Sequence, residues 1–408
     1  MSVAHVASRA RVSTATFYEQ FQDREDGLLA AYRTVVERIL GQTRLPSGTT
    51  DWSDGARKVL APLLNALQSD PDAGRVLFVE ALAGVACIRE ERRLVLEEFG
   101  RRVEASLDGP PKDGNTPDIP AVAVMGALRN IVSRHLRTHA EDRLPLLVED
   151  GLTWVGSYAT PAGQKRWSIG PHALLPATSA YRHRPVARGP ARLPRGRHSL
   201  PAGVVARSHR ERILRGTAEA MMAKGYAHAT VADIVAQAGV SRDVFYEHFS
   251  DKQHAFLEAQ QHPTQYVLDA CATAYFSARE WPERVWRCYE TLLGLIAANP
   301  AVSHLRLVDC YDAGPAAIRR AEEITRSFTF FLEEGYSYRP QARQLPRLCS
   351  EAIAGAIFEI IQRSVAHGDV TQTPRQLPLV TYIAIAPFTG PQDAIRLIER
   401  FSGPYLSA

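Results

Sequence analysis

Thr230 to Lys252, TVADIVAQAGVSRDVFYEHFSDK, is the stretch whose reading decides the fold. Thr230 opens a capping-box-like start, and Val231, Ile234, Val235 and Ala238 recur at helical spacing along one face. Gly239 is free to take positive φ and so can end that helix in a sharp corner, with Val240 to plug the corner and Ser241 to cap the next helix. The spacing predicts a short third helix over Arg242 to Phe249, with Phe245 and Phe249 inward and Arg242, Asp243, Tyr246 and His248 outward. Ser250 with Gln253 three residues on signals a further helix, holding Lys252 in its first turn. Upstream, Ile213, Leu214, Ala218, Met221 and Met222 predict a preceding helix that closes at Gly225. A helix, a tight glycine turn and a capped short helix with polar residues at its start is the form that major-groove insertion needs.

The pattern occurs twice. VAHVASRARVSTATFYEQFQDREDGLL, Val3 to Leu29, aligns at constant offset and without a gap on VADIVAQAGVSRDVFYEHFSDKQHAFL, Val231 to Leu257. With one residue of slippage the likeness continues downstream: Trp52 meets Trp281, Leu63 and Leu64 meet Leu292 and Leu293, Pro71 meets Pro300, and Gly126 and Ala127 meet Gly355 and Ala356. This predicts a tandem duplication of a whole unit. Its parts are a truncated helix-turn-helix domain at 1–40, a helical bundle at 41–160, a basic linker at 161–205, a second helix-turn-helix domain at 206–262 and a second bundle at 263–408. From Lys165 to Arg210 there are ten Lys or Arg and no Asp or Glu, interleaved with Pro and Gly. Such a stretch cannot bury a core; it reads as a charged tether, or as an arm that tracks phosphates through residues such as Arg195 and Arg197.

The string from Thr230 to Lys252 resembles the TetR family of bacterial regulators: a Thr, an apolar helix, Ala-Gly-Val-Ser, two variable residues, an aromatic, Tyr, a polar pair, Phe and then Lys. The resemblance implies an all-α chain of two units, each a helix-turn-helix domain followed by a bundle that binds a small molecule and dimerises through its last two long helices. It implies that Ser241, Arg242 and Asp243 face base edges, that Tyr246, His248 and Lys252 meet phosphates, and that Thr230 caps the second helix. The chemistry agrees, since Arg can grip guanine bidentately while Tyr and Lys donate to phosphate oxygens. Asp243 could accept from cytosine or simply favour the positive end of its helix. In the first copy the same roles fall to Ser13, Thr14, Ala15, Tyr18, Gln20 and Arg24, and Thr14 and Ala15 would favour a thymine methyl where Arg242 favours guanine.

The first copy departs from the pattern. No counterpart of the helix through Ile213 to Met222 precedes it, and Arg11 stands where the second copy has Gly239. If the corner still needs positive φ, a side chain there costs about 1 to 2 kcal/mol. Either the start lies upstream of Met1 or this half has lost its reading role. Retention of Ser13, Phe17, Tyr18, Phe21 and Arg24 favours the former.

Downstream, amphipathic helices broken by Pro and Gly are expected in both halves. By resemblance, Ala121 to Thr138 and Arg143 to Tyr158 would pair with Leu345 to Ala366 and Leu377 to Phe388, giving either an intramolecular pseudo-dimer or a homodimer. Trp281, Trp286, Tyr289, Tyr311, Phe328 and Phe331 could line an effector cavity or be plain core. Glu80 and Asp309, at matching positions, could orient a polar ligand. The chain has 408 residues, 45% of them hydrophobic, and a formal charge of +4, enough for two cores and mildly favourable to an acidic partner. Its five cysteines form no close pair and read as reduced thiols of a cytoplasmic protein, and no apolar run would span a membrane. There is no glycine-rich phosphate loop, nucleophile elbow or metal-ligand spacing, so no enzyme and no cofactor is expected. The expected partners are an operator in double-stranded DNA and a small-molecule effector of unknown identity.

Overall fold

The computed structural model describes residues 3–42, 49–79, 86–161, 164, 167 and 201–406. Arg195, Arg197 and most of the basic linker lie outside the described residues, as does Glu80. The described chain is helical almost throughout, its only extended pieces being the three-residue strands Asn115–Pro117 and Ala159–Pro161. It divides into two compact units. One comprises Met1–Thr116 and Ile131–Leu152; the other comprises Pro117–Asn130 and Thr153–Ala408.

In the first unit the helices Val3–Ala10, Thr14–Gln20 and Arg24–Gln42 are followed by Trp52–Ser69, Pro71–Phe78 and Ala86–Leu107. Asp51 and Asp70 start the fourth and fifth by accepting from backbone amides of the first turn. Tyr32, Val36 and Ile88 form a buried cluster against which Leu77 packs.

In the second unit the corresponding order recurs. An 18-residue helix again begins at a tryptophan, Trp281–Ala298 against Trp52–Ser69, and an eight-residue helix again begins at a proline, Pro300–Leu307 against Pro71–Phe78. These short helices end on valines of nearly equal conformation, Val79 at φ −118° and ψ −59° and Val308 at φ −118° and ψ −61°. The helix Leu377–Thr389 is buried along its whole length and forms the centre of the bundle. Leu348–His367 packs beside it.

The second unit also takes in part of the first half of the sequence, because Pro117–Asn130 and the segment from Thr153 belong to it. The helix Ala121–Arg137 crosses Leu348–His367 at Gly126 and Gly355. A Cβ on Gly126 would lie 2.3 Å from Cβ of Glu359 and 2.9 Å from the Gly355 carbonyl oxygen; one on Gly355 would lie 2.8 Å from Cβ of Asn130 and 3.1 Å from the Gly126 carbonyl oxygen. The contact is nearly self-reciprocal, glycine on glycine, as at a two-fold axis. Beside it Arg129 Nη2 meets Glu359 at 2.8 Å with both side chains nearly buried, and Arg363 holds the other carboxylate oxygen at 3.2 Å. Burial is the largest single influence on Arg129 and would lower its pKa, but the surrounding groups, Glu359 first and then Tyr311, Glu322 and Cys310, together outweigh it and raise the pKa, so the guanidinium stays charged. Tyr158 donates to the Ile383 carbonyl at 2.8 Å, and Trp167 stacks on Tyr382 at 5.2 Å.

Among the described residues no single helix is long and apolar enough to cross a membrane. Cys271, Cys288, Cys310 and Cys349 are buried and unbridged.

Candidate nucleic-acid interface

Ala202–His228, Val231–Ala238 and Arg242–His248 build the motif in the second unit. The first of these begins at Ala202, inside the stretch assigned to the linker, and is interrupted at Gly225 by φ 72°. Ile213, Leu214, Ala218 and Met221 are buried as expected, whereas Met222 is exposed and leaves the apolar face. Gly216 allows the first two helices to touch, since a Cβ there would lie 2.7 Å from the Ala238 amide nitrogen and 2.9 Å from the Ile234 carbonyl oxygen.

Thr230 and Asp233 form a reciprocal capping box: the Thr230 hydroxyl accepts from the Asp233 amide, and the Asp233 carboxylate accepts from the Thr230 amide. Lys224 Nζ adds an ion pair at 2.6 Å. Hydrogen bonds from Lys224 first, then from Thr230, hold the Asp233 carboxyl down at about 2. Gly239 then takes φ 63° and ψ 41°, the left-handed corner. Arg212 closes this corner from the preceding helix, its Nε donating to the Ala238 carbonyl at 3.0 Å and its Nη2 to that of Gly239. Nothing in the helical spacing marks Arg212 for this task.

Ser241 caps the third helix by accepting from the Val244 amide at 3.3 Å. Phe245 and Phe249 are buried, while Ser241, Arg242 and Asp243 are exposed at the amino end and His248 is half-buried. Tyr246 stands edge-on to Phe245 at 5.3 Å and is 56% exposed. The helix after it is capped by Asp251, which accepts from the His254 amide at 2.7 Å, and not by Ser250, whose hydroxyl instead donates to Asp251. Lys252 is turned inward: Nζ donates to the carbonyls of Tyr226 (2.7 Å) and Ala229 (2.9 Å) and sits 4.3 Å from the Tyr226 ring centre. Burial lowers its pKa, and its first task is to hold the corner between the first two helices.

The first unit repeats this geometry. Val3–Ala10 ends at Arg11, whose φ of 57° is that of the glycine corner, and Ser13 caps Thr14–Gln20 by accepting from the Thr16 amide at 2.9 Å. Phe17 is buried, Tyr18 stands edge-on to it at 5.6 Å and is also 56% exposed, and Thr14, Ala15, Gln20 and Arg24 are exposed.

The second unit also has a partly open cavity of about 480 Å³ between Ala202–His228 and the bundle helices. Of the six aromatics proposed from the sequence, Tyr289 and Phe328 line it. The other four are packed elsewhere. Trp281 is buried and donates to the Phe331 carbonyl at 3.1 Å, Trp286 lies against Phe401, Phe331 against Tyr275, and Tyr311 joins the core under the helix-turn-helix. Asp309 is buried, does not line the cavity, and holds His304 Nδ1 at 2.9 Å, a hydrogen bond that raises the His304 pKa. The polar groups that do reach the cavity include Glu211, Arg215 and Arg306, and the sequence gives no periodic signal for them.

Such a corner, cap and exposed helix define a helix-turn-helix protein. Residues 213–259 match the family described as bacterial regulatory proteins, tetR family. It is 22% identical over 154 residues to the HTH-type transcriptional activator FasR of Mycolicibacterium smegmatis, a match that covers 38% of this chain and 59% of that protein. Among solved structures it is similar to the fatty acid degradation regulator FadR from Bacillus halodurans, with TM-score 0.38 and 17% identity over 43% of this chain and 97% of that one. A TetR-like transcriptional regulator from Rhodococcus sp. RHA1 gives TM-score 0.34 and 18% identity over 45% and 96%.

Proposed function

We propose that this chain is a sequence-specific DNA-binding transcriptional regulator, a repressor that a small molecule in its helical core releases from its operator. The observation that carries the reading is the short helix Arg242–His248, presented after the left-handed Gly239 with Ser241, Arg242 and Asp243 exposed at its amino end. That end meets base edges, with Arg242 on guanine, while Tyr246 and His248 reach phosphates. Lys252, committed to two carbonyls, contributes its charge more than a direct contact. Thr230 holds the second helix from within the capping box.

The two halves are read as a tandem duplication whose bundles pair within one chain. The glycine crossing at Gly126 and Gly355 and the buried Arg129–Glu359 pair support this. Two readers then serve one operator, and the tether between them gives the second reader a high effective concentration. Ser13, Thr14, Ala15, Tyr18, Gln20 and Arg24 make the second set of contacts, with different base preferences, so the operator is an imperfect palindrome.

A gel shift on DNA flanking the gene tests the reading. Arg242→Ala should weaken specific binding by about 1 to 3 kcal/mol, while Tyr246→Phe should weaken all sequences alike. Equal binding of every fragment by the unaltered protein would end this account. A reporter fused to the bound promoter reads the sign of regulation, since FasR is a transcriptional activator. Sedimentation of the free protein should give one chain per particle. Arg129→Ala should destabilise the second unit by about 3 to 5 kcal/mol, because it leaves Glu359 buried with less compensation.

A further inference from the structure

The cavity between Ala202–His228 and the bundle is walled mainly by apolar side chains, among them Leu214, Val267, Leu292, Ile296, Ile357 and Phe358. Two polar groups in it stand out. Arg306 has no carboxylate within ion-pair distance among the described residues, and its Nη2 donates to the Thr264 hydroxyl at 3.2 Å. Burial pushes its pKa down to about 10, as for a cation removed from water without a counter-charge. The Tyr289 hydroxyl is 1% exposed as a residue and has no hydrogen-bond partner among the described residues. An unused buried donor and an uncompensated buried cation in one cavity each cost free energy that a suitable guest would recover.

The other arginine in the lining is less suited to this role. Arg215 is about two-fifths exposed and pairs with Glu219 one turn on at 3.6 Å, so solvent and a carboxylate share its charge even though its Nε makes no hydrogen bond. The aligned positions of the first half carry no such groups. With the register that sets Pro71 against Pro300, Arg306 meets Leu77 and Tyr289 meets Leu60. Leu77 packs on the cluster of Tyr32, Val36 and Ile88.

We infer that the cavity takes an apolar carboxylate, its anionic head on Arg306 and within reach of the Tyr289 hydroxyl, and that each chain takes one. A guanidinium favours a carboxylate through two parallel hydrogen bonds, and the apolar walls bury the remainder. This rests on the cavity being the effector site of the proposed regulator. Because the guest lies against Ala202–His228, the helix whose Gly216 and Arg212 hold the reading corner, it bears directly on the DNA-binding geometry.

The experiment is a calorimetric titration of the full chain, without DNA, using para-butylbenzoate and the matched para-butylbenzyl alcohol. The carboxylate should bind roughly ten- to a hundredfold more tightly than the alcohol, at one equivalent per chain. Arg306→Gln should erase that preference and Arg306→Lys should keep most of it, with thermal melting to check that both variants fold. Tyr289→Phe should reduce carboxylate affinity severalfold. Equal binding of the two probes, a preference that survives Arg306→Gln, or two equivalents per chain overturns the inference. The DNA reading is independent of that result. Conversely, Arg306-dependent binding that leaves the gel shift unchanged supports the site and removes the ligand switch.

Discussion

Val3–Leu29 and Val231–Leu257 make the same corner with different support. In the second unit Gly216 brings the helix Ala202–His228 against Ala238, Arg212 clamps the carbonyls at the corner, and Ile234, Phe245 and Phe249 are buried. In the first unit Ala10, the aligned partner of Ala238, is exposed, Phe21 is only half-buried, and the corner residue is arginine rather than glycine. The left-handed turn therefore belongs to the motif and not to glycine. Local capping by Ser13 and the inward Phe17 are enough to impose it on Arg11 at a cost of about 1 to 2 kcal/mol. What the helix Ala202–His228 supplies is burial of the corner.

The largest break should come from Gly216→Leu. With Ala238 and the Ile234 carbonyl within 3 Å of the new Cβ, it should cost about 1 to 3 kcal/mol and abolish reading by the second motif, as thermal melting and a gel shift would record. An unchanged melt would mean that the second motif does not depend on close contact with Ala202–His228. Exchanging the corner residues sharpens the comparison: Gly239→Arg should destabilise the second unit by about 1 to 2 kcal/mol, and Arg11→Gly should stabilise the first by up to about 1 kcal/mol. If Gly239→Arg proves neutral, the left-handed corner carries no strain. The smallest effect is expected at the caps, where Ser13→Ala and Ser241→Ala should each cost about 1 kcal/mol in chemical denaturation. A much larger loss at Ser13 would show that the first motif leans on its cap more heavily.

The motif was legible in the sequence because its determinants are local. A cap, a glycine corner and aromatics one turn apart each act within a few residues, and they sit at the positions expected of them. The correction at Ser250, where Asp251 caps instead, is a shift of one residue between neighbouring acceptors. Lys252 was harder to read, because spacing does not reveal that its ammonium turns back to the carbonyls of Tyr226 and Ala229. The cavity was scarcely legible at all. Tyr289, Arg306 and Phe328 come from separate helices, and a lone arginine in PAVSHLRL looks like any solvated cation until tertiary packing buries it. Trp281 and Trp286, which do stand out by type, are spent on the core.

One consequence follows from the ion pair beside the glycine crossing. Under the near two-fold relation of the helices, Arg129 corresponds to Phe358 and Glu359 to Asn130, so the mirror image of the Arg129–Glu359 contact would join Asn130 to Phe358. The interface is keyed: two second halves brought together would set a pair of Glu359 carboxylates against the opposing glycines with no Arg129 to meet either. If the halves pair as proposed, unlike ends are favoured over like, and the assembled protein has a head and a tail. Under the same proposal, such a chain on its operator would face a single direction along the duplex.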